Sequence, residues 1–253
     1  MKNHFYMPYY GNKRTEVENI ISNLIDLTDI EYIVEPYCGS CAISYYISTL
    51  YEGKKYILND NNIFLKEMYE IMLSKKKIKK FEDEFEELAT SIDSKERYKE
   101  ITKPKTLMAW FIKNKIYHIR PGMFYMTGRK YKTTIDLKTF PIYDFFINNE
   151  ITFRAENAMN IYNEYKSNSK AMIFLDPPYM QSCNDFYSDH SCNIYEYLYE
   201  NNINDEKAFI CLILENMWIV RLLFQNNNVV SEYDKVYQNN HNKTTHIIIL
   251  NWY

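Results

Sequence analysis

The sequence predicts an α/β fold, a Rossmann-like sheet interrupted by a mainly helical insertion, and three observations carry that prediction. A strand, a glycine turn and a helix follow one another over Tyr32–Leu50, as in the first unit of a doubly wound sheet. The apolar run Ala171-Met172-Ile173-Phe174-Leu175 reads as a strand buried on both faces, and Pro177-Pro178 stops it. Between these lies a stretch with helical periodicity and no strand alternation, which divides the chain into 1–63, an insertion at 64–148, and 149–253.

The elements follow in order. A basic, aromatic loop, Met7-Pro8-Tyr9-Tyr10-Gly11-Asn12-Lys13-Arg14, leads into a helix expected over 15–27, with Thr15 as cap and Val17, Ile20, Ile21, Leu24 and Ile25 on one face. Tyr32–Glu35 forms the first strand, Pro36 to Cys41 the turn, and 42–50 a helix. Tyr56-Ile57-Leu58 is the second strand and ends in Asn59-Asp60-Asn61. An acid at that point, about 20 residues after a glycine turn, is placed to receive the ribose hydroxyls of a nucleoside-like cofactor, although an Asn-Asp turn alone is common.

Helices are expected at 64–73, 78–89 and 106–115 within the insertion. It closes on Arg120-Pro121-Gly122-Met123-Phe124-Tyr125-Met126-Thr127-Gly128-Arg129-Lys130-Tyr131, where two glycines bracket an apolar-aromatic run, as in a hairpin. A two-stranded ribbon fits a major groove, and Arg129 or Lys130 at its turn would reach guanine or phosphate. Sheet pattern resumes at 151–153, followed by Glu156, a helix through Ile161 and Tyr162, the strand ending at Asp176, and a helix at 194–199. The chain then gives a strand at 209–214, a helix at 217–224, and strands at 229–236 and 247–252.

Composition bounds the function. The 253 residues suffice for a full core, and a hydrophobic fraction of 46% with 25% charged is ordinary for a soluble protein. Only 5 glycines accompany 25 tyrosines, a bias that an A/T-rich genome explains without assigning each tyrosine a role. The net charge of -3 means that nucleic-acid binding needs basic residues segregated on one face. Lys75 to Lys80 read as a solvated helix face, whereas Arg129 to Lys132 lie beside the hairpin. The 5 cysteines follow no disulfide framework and no signal peptide is evident, so a reduced, intracellular, soluble setting is expected, without a membrane span. Cys38-x-x-Cys41 has zinc or redox spacing, but no second C-x-x-C matches it and no metal is expected.

The chemistry concentrates at Asp176-Pro177-Pro178-Tyr179. Asp176 is an acceptor only, the Pro177 carbonyl is a second acceptor, and Tyr179 offers a flat face in a stiff turn. Such a group can take both hydrogens of an exocyclic amino group while its ring stacks on the tyrosine. Alone, these four residues read equally well as a strand closed by a capped Pro-Pro turn.

Taken together, Tyr9-Tyr10-Gly11-Asn12-Lys13, Glu35-Pro36-Tyr37-Cys38-Gly39-Ser40-Cys41, Asp60, the insertion and Asp176 to Tyr179 resemble the Dam-type, alpha-group DNA adenine-N6 methyltransferases over nearly the whole chain. The resemblance implies a Rossmann-like methyltransferase sheet carrying an inserted target-recognition domain, with S-adenosylmethionine as cofactor and double-stranded DNA as substrate. It implies that Lys13 meets the cofactor carboxylate, that Tyr9 packs on the cofactor with Tyr10, Pro36 and Asn61 nearby, and that Glu35 and Gly39 line its methionine side. Asp60 would bind the ribose, and Glu156 stands where the family has Asp near the cofactor adenine. Asp176, Pro177, Pro178 and Tyr179 would hold a flipped adenine, while Arg120, Phe124, Arg129 and Lys130 would contact DNA. Cys41 replaces the second glycine of its motif, Asn12 a common glycine, and Pro8 a common lysine. A catalytically silent DNA-binding or subunit protein and an RNA adenine methyltransferase are the alternatives, and a partner nuclease or a homodimer is compatible with either.

Overall fold

The computed structural model describes residues 13, 15–90, 105–120, 123–126, 135–178, 195, 200, 202–236 and 243–252; over 89–90, 113–120, 123–126, 228–230, 236 and 243 it describes the backbone alone. Two compact units divide the chain, 1–11 with 62–148 and 12–61 with 149–253.

The second unit is a seven-stranded sheet of order β5-β2-β1-β6-β7-β9-β8. Its strands are β1 (Tyr32–Glu35), β2 (Lys55–Asn59), β5 (Glu150–Arg154), β6 (Ala171–Leu175), β7 (Phe209–Glu215), β8 (Asn228–Val236) and β9 (Lys243–Leu250). The first five in spatial order run parallel, and β9 pairs antiparallel with both β7 and β8. Every residue of β6 is buried, which is why it reads as an unbroken apolar run and not as an alternation. Helices α1 (Val17–Ile21), α2 (Ala42–Ser48), α7 (Ala158–Tyr165) and α8 (Trp218–Leu223) belong to the same unit.

From β1 the chain winds outward through β2 to β5, then returns to place β6 on the other side of β1. The winding direction therefore reverses between β1 and β6. Open α/β sheets bind ligands outside the carboxyl ends of the strands at such a point.

Helix α1 is shorter than the 15–27 expected. Ser22 Oγ and Asn23 Nδ2 both donate to the Asn19 carbonyl, at 3.0 and 2.6 Å, and such bonds compete with the helical ladder. The loop before β1 is fixed by Lys54, 7% exposed, whose Nζ donates to the carbonyls of Leu27, Thr28 and Ile30 at 2.6, 2.9 and 2.5 Å. Three carbonyls compensate an ammonium that burial would otherwise penalise.

The first unit contains α3 (Ile63–Met72), α4 (Lys75–Thr90), α5 (Leu107–Ile116), a hairpin of β3 (Tyr117–Arg120) and β4 (Met123–Met126), and α6 (Pro141–Asn148). On α4, Ile78, Phe81 and Phe85 are buried, with Phe81 and Phe85 edge-on to Phe111 of α5 at 5.2 and 5.8 Å. The opposite face carries Lys79–Asp83 and Lys80–Glu84 ion pairs at i,i+4, so these lysines do form a solvated helix face. Helix α6 lay outside the expected elements, although Pro141 at its first position is a legible start signal.

The hairpin differs from the expected one in register. Arg120 pairs with Met123, whereas Arg129 and Lys130, expected at the turn, follow β4 in the sequence and lie outside the described residues. Pro-Gly is itself a strong turn dipeptide, and the β-branched and aromatic residues of Tyr117–Arg120 supply the first strand.

Candidate active site

Four neighbouring parallel strands each deliver a carboxylate at or just beyond the carboxyl end: Glu156 after β5, Asp60 after β2, Glu35 closing β1, and Asp176 after β6. Glu35 and Asp176 flank the point where the winding reverses.

The loop from Pro36 to Cys41 is bent by two left-handed residues, Gly39 at φ 47° and Cys41 at φ 57°. Glycine accepts this conformation without cost, but cysteine incurs about 1–2 kcal/mol. Cys41 nevertheless begins α2 in the position the glycine motif reserves, and it is fully buried. It makes no side-chain cap to the helix. Glu35 does that instead, its Oε1 accepting from Ser44 N at 2.9 Å and also from Ser44 Oγ. A carboxylate from the adjoining strand thus satisfies the helical amide that an N-cap side chain ordinarily takes.

Glu35 is 3% exposed. Burial pushes its carboxyl up to about 7, the Ser44 hydrogen bonds oppose that rise, and the charge of Asp176 adds to it. Glu35 therefore holds its proton well above the ordinary carboxylate range. Burial also pushes the Cys38 thiol up, with Cys41 adding to it, so Cys38 is a protonated, buried thiol beside the equally buried Cys41.

Asp60 is 8% exposed, and its Oδ2 accepts from Gly39 N at 3.2 Å, which joins the glycine turn to the second strand end. Asn59, fully buried, extends this connection. Its Nδ2 donates to the carbonyls of Pro36 and Glu156 at 2.9 and 3.1 Å, and its Oδ1 accepts from Glu156 N at 2.9 Å. One amide side chain thereby holds three adjacent strand ends in register. This role is not legible in the sequence, because an Asn before an Asp reads as turn material. Asn61 is exposed.

Beyond β6, Pro177 is buried and Pro178 half-buried. The ammonium of Lys13 lies 2.6 Å from Asp176 Oδ2, with the two side chains 5% and 17% exposed. Glu156 is engaged by Arg154, whose Nε lies 2.6 Å from its Oε1 and whose other end reaches Glu164 at 3.3 Å. Lys13, Glu35, Pro36, Gly39, Asp60, Asn61, Glu156, Asp176, Pro177 and Pro178 thus all belong to the sheet unit. Tyr9, Tyr10, Tyr179, Arg129 and Lys130 lie outside the described residues, and Arg120 and Phe124 lie on the hairpin strands of the other unit. Among the described residues no cluster of His, Cys, Asp or Glu forms a metal site, and no helix is long and apolar enough to cross a membrane.

A mostly parallel seven-stranded sheet with acids at four adjacent strand ends, and Asp-Pro-Pro at the reversal of winding, is the architecture of a Rossmann-like methyltransferase. The profile of the D12 class N6 adenine-specific DNA methyltransferases matches residues 9–202. The chain belongs to that family. The matched span takes in both strand-end motifs and the whole insertion. No curated protein matches the chain.

Proposed function

We infer that this chain transfers a methyl group from S-adenosylmethionine to N6 of an adenine flipped out of double-stranded DNA at a specific site. The observation that carries this reading is the acceptor pair Asp176 and Pro177, delivered to the reversal of winding beside Glu35 and Asp60.

The residues fit the cofactor chemically. Its diol needs carboxylate acceptors, its ammonium needs an anion, and its carboxylate needs a cation. Asp60, already oriented by Gly39 N, suits the ribose hydroxyls. Glu35 suits the ammonium, whose charge would favour its ionised form, and Lys13 suits the carboxylate. Pro36, Gly39 and Asn61 border the same loop ends, Tyr9 and Tyr10 lie in the adjoining N-terminal motif, and Glu156 falls at the adenine end. S-adenosylmethionine supplies the electrophilic methyl group.

The protein's own part is positioning. Asp176 and the Pro177 carbonyl accept the two amino hydrogens, which directs the nitrogen lone pair away from the ring. As the methyl group leaves the cofactor sulfur for that nitrogen, positive charge would grow there; the Asp176 carboxylate would stabilise it, and the nitrogen would then give up one amino proton to solvent. Pro178 stiffens the turn, and Tyr179 stacks on the base. In this reading 64–148 is the target-recognition domain, and Arg120, Phe124, Arg129 and Lys130 contact the duplex.

Incubation of A/T-rich duplex DNA with labelled S-adenosylmethionine, followed by mapping of modified adenines, tests the activity. Asp176→Ala should lower single-turnover methylation by roughly 10²–10³, the scale found for one preorganised polar group. Wild-type rates in that variant would leave a DNA-binding or subunit protein as the reading.

A further inference from the structure

Behind the Lys13–Asp176 pair lies a buried cluster that none of the motifs above accounts for. Glu16, 3% exposed, has Lys235 Nζ at 2.5 Å from its Oε1. Its Oε2 accepts from the Tyr233 hydroxyl at 2.9 Å and faces His246 Nδ1 at 3.0 Å. Lys235 is 9% exposed, Tyr233 7% and His246 0%, so the group is shut off from water. Tyr233 and Lys235 come from β8 and His246 from β9, the two antiparallel strands at the far edge of the sheet.

Two links tie this cluster to the strand end. The backbone N–H of Glu16 and that of Val17 both donate to the Lys13 carbonyl at 2.9 Å, so the turn that fixes Glu16 also fixes Lys13. The second link is charge. Asp176, Lys13, Glu16 and Lys235 alternate in sign, two carboxylates and two ammoniums. Burial by itself would raise the Glu16 carboxyl, but His246, Lys13 and Lys235 outweigh it and hold it at about 2. Glu16 is therefore held as an anion whose charge acts on Lys13, as that of Asp176 does.

Electrostatics inside a dry site are strong and their balance is sensitive to one member. With Glu16 charged, the attraction of Lys13 is divided between two carboxylates, and Asp176 keeps acceptor capacity for a second donor. Without that charge, Asp176 is the one protein carboxylate of the four-charge group left to draw Lys13. The pair then tightens, and the lysine competes with the amino group for the same oxygens.

We propose that Glu16, clamped by Lys235, Tyr233 and His246, is a positioning residue for methyl transfer that sets how Lys13 holds Asp176. The proposal rests on the reading of Asp176 as the acceptor for the adenine amino group. It assigns the last two strands a share in catalysis although neither contributes a group that touches substrate.

The test uses the full chain with S-adenosylmethionine and a duplex shown to be methylated by the wild type. Absence of wild-type methylation would remove the reading on which the proposal rests; all other arms bear on Glu16. Glu16→Gln keeps shape and removes charge, and should slow single-turnover methylation about 10- to 100-fold, the loss expected when a reacting group is misplaced, with duplex affinity unchanged. The double variant Glu16→Gln with Lys235→Met removes both members of the buried pair, and should recover melting temperature but not rate. Tyr233→Phe deletes only one donor to Glu16, and should still fold, melting only a few degrees lower, while slowing the chemical step about 3-fold or more. Recovery of rate together with stability in the double variant would show a purely structural role. A Glu16→Gln rate within twofold of wild type, or wild-type chemistry in Tyr233→Phe should Glu16→Gln not fold, would overturn the proposal.

Discussion

Replacing Glu35 with Gln should make the protein more stable at pH 8 and leave it unchanged at pH 4. In the folded chain the carboxyl is moved from 4.5 to about 7, chiefly by burial. Each pKa unit is worth about 1.4 kcal/mol, so the displacement amounts to about 3 kcal/mol. The sign follows from which state binds the proton. Below pH 4.5 the group is protonated both folded and unfolded, and carries no penalty. As pH rises toward 7 the unfolded chain releases the proton while the folded chain retains it, so stability falls; above 7 the penalty is complete. Glutamine keeps a carbonyl for the Ser44 bonds but cannot ionise, and its contribution is flat with pH. At pH 8 the variant should melt higher by about 6–12 °C, taking about 2–4 °C per kcal/mol for a chain of this size. Paired thermal melts of wild type and variant across pH 4–8 provide the measurement, because other titrating groups cancel in the difference. S-adenosylmethionine should reduce the gap by favouring the ionised carboxylate. A difference that stays constant between pH 4 and 8 would refute the reasoning, since it would mean that Glu35 ionises normally in the fold.

Three further outcomes are expected. Calorimetric titration of Asp60→Ala with S-adenosylmethionine should show clearly weaker binding, because the carboxylate that Gly39 orients is lost; unchanged affinity would move the cofactor elsewhere. Cys41→Gly should relieve the left-handed strain at φ 57° and raise stability by up to about 1–2 kcal/mol, less whatever the buried thiol contributed by packing, as read from urea unfolding. DNA affinity should fall steeply with salt despite the net charge of -3, and Arg129→Ala should cost about 1–3 kcal/mol in discrimination between cognate and scrambled duplexes. Equal discrimination would shift base reading to other residues of 64–148.

The parts of the fold legible in the sequence were those fixed locally or by burial on both faces. Leu175 and its four predecessors announce a central strand through composition alone, and the strand at Tyr32–Glu35 is announced by the turn that follows it. Edges were less legible. The helix beginning at Val17 stops early because Ser22 and Asn23 bond the Asn19 carbonyl, a competition that periodicity does not register. The hairpin was expected between two glycines, yet Pro121-Gly122 outranks Gly128 as turn chemistry once Tyr117–Arg120 is recognised as a strand. Within the site, residues whose chemistry is intrinsic, such as Asp60 and Asp176, were visible. Those whose importance is purely relational were not. Asn59, Ser44 and Glu16 act through partners 97, 9 and 230 positions away, and no short spacing encodes such pairs.

The distribution of charge adds a constraint on how substrate reaches the site. Four strand ends carry acids, and Lys13 is already committed to one of them. A duplex laid directly across those strand ends would bring phosphates within about a Debye length, roughly 8 Å, of carboxylates that Lys13 and Arg154 neutralise only in part, and repulsion would oppose it. An adenine ring is uncharged, and rotated out of the helix it can approach Asp176 while its flanking phosphates stay outside. Base flipping in this protein would thus serve electrostatics as well as access. It follows that attraction to the backbone must come from elsewhere in the chain, with basic residues such as Arg129 and Lys130 the natural suppliers. Grip and chemistry are then separable by mutation: removing those cations should weaken binding without altering the rate of bound complexes, and removing Asp176 should do the reverse.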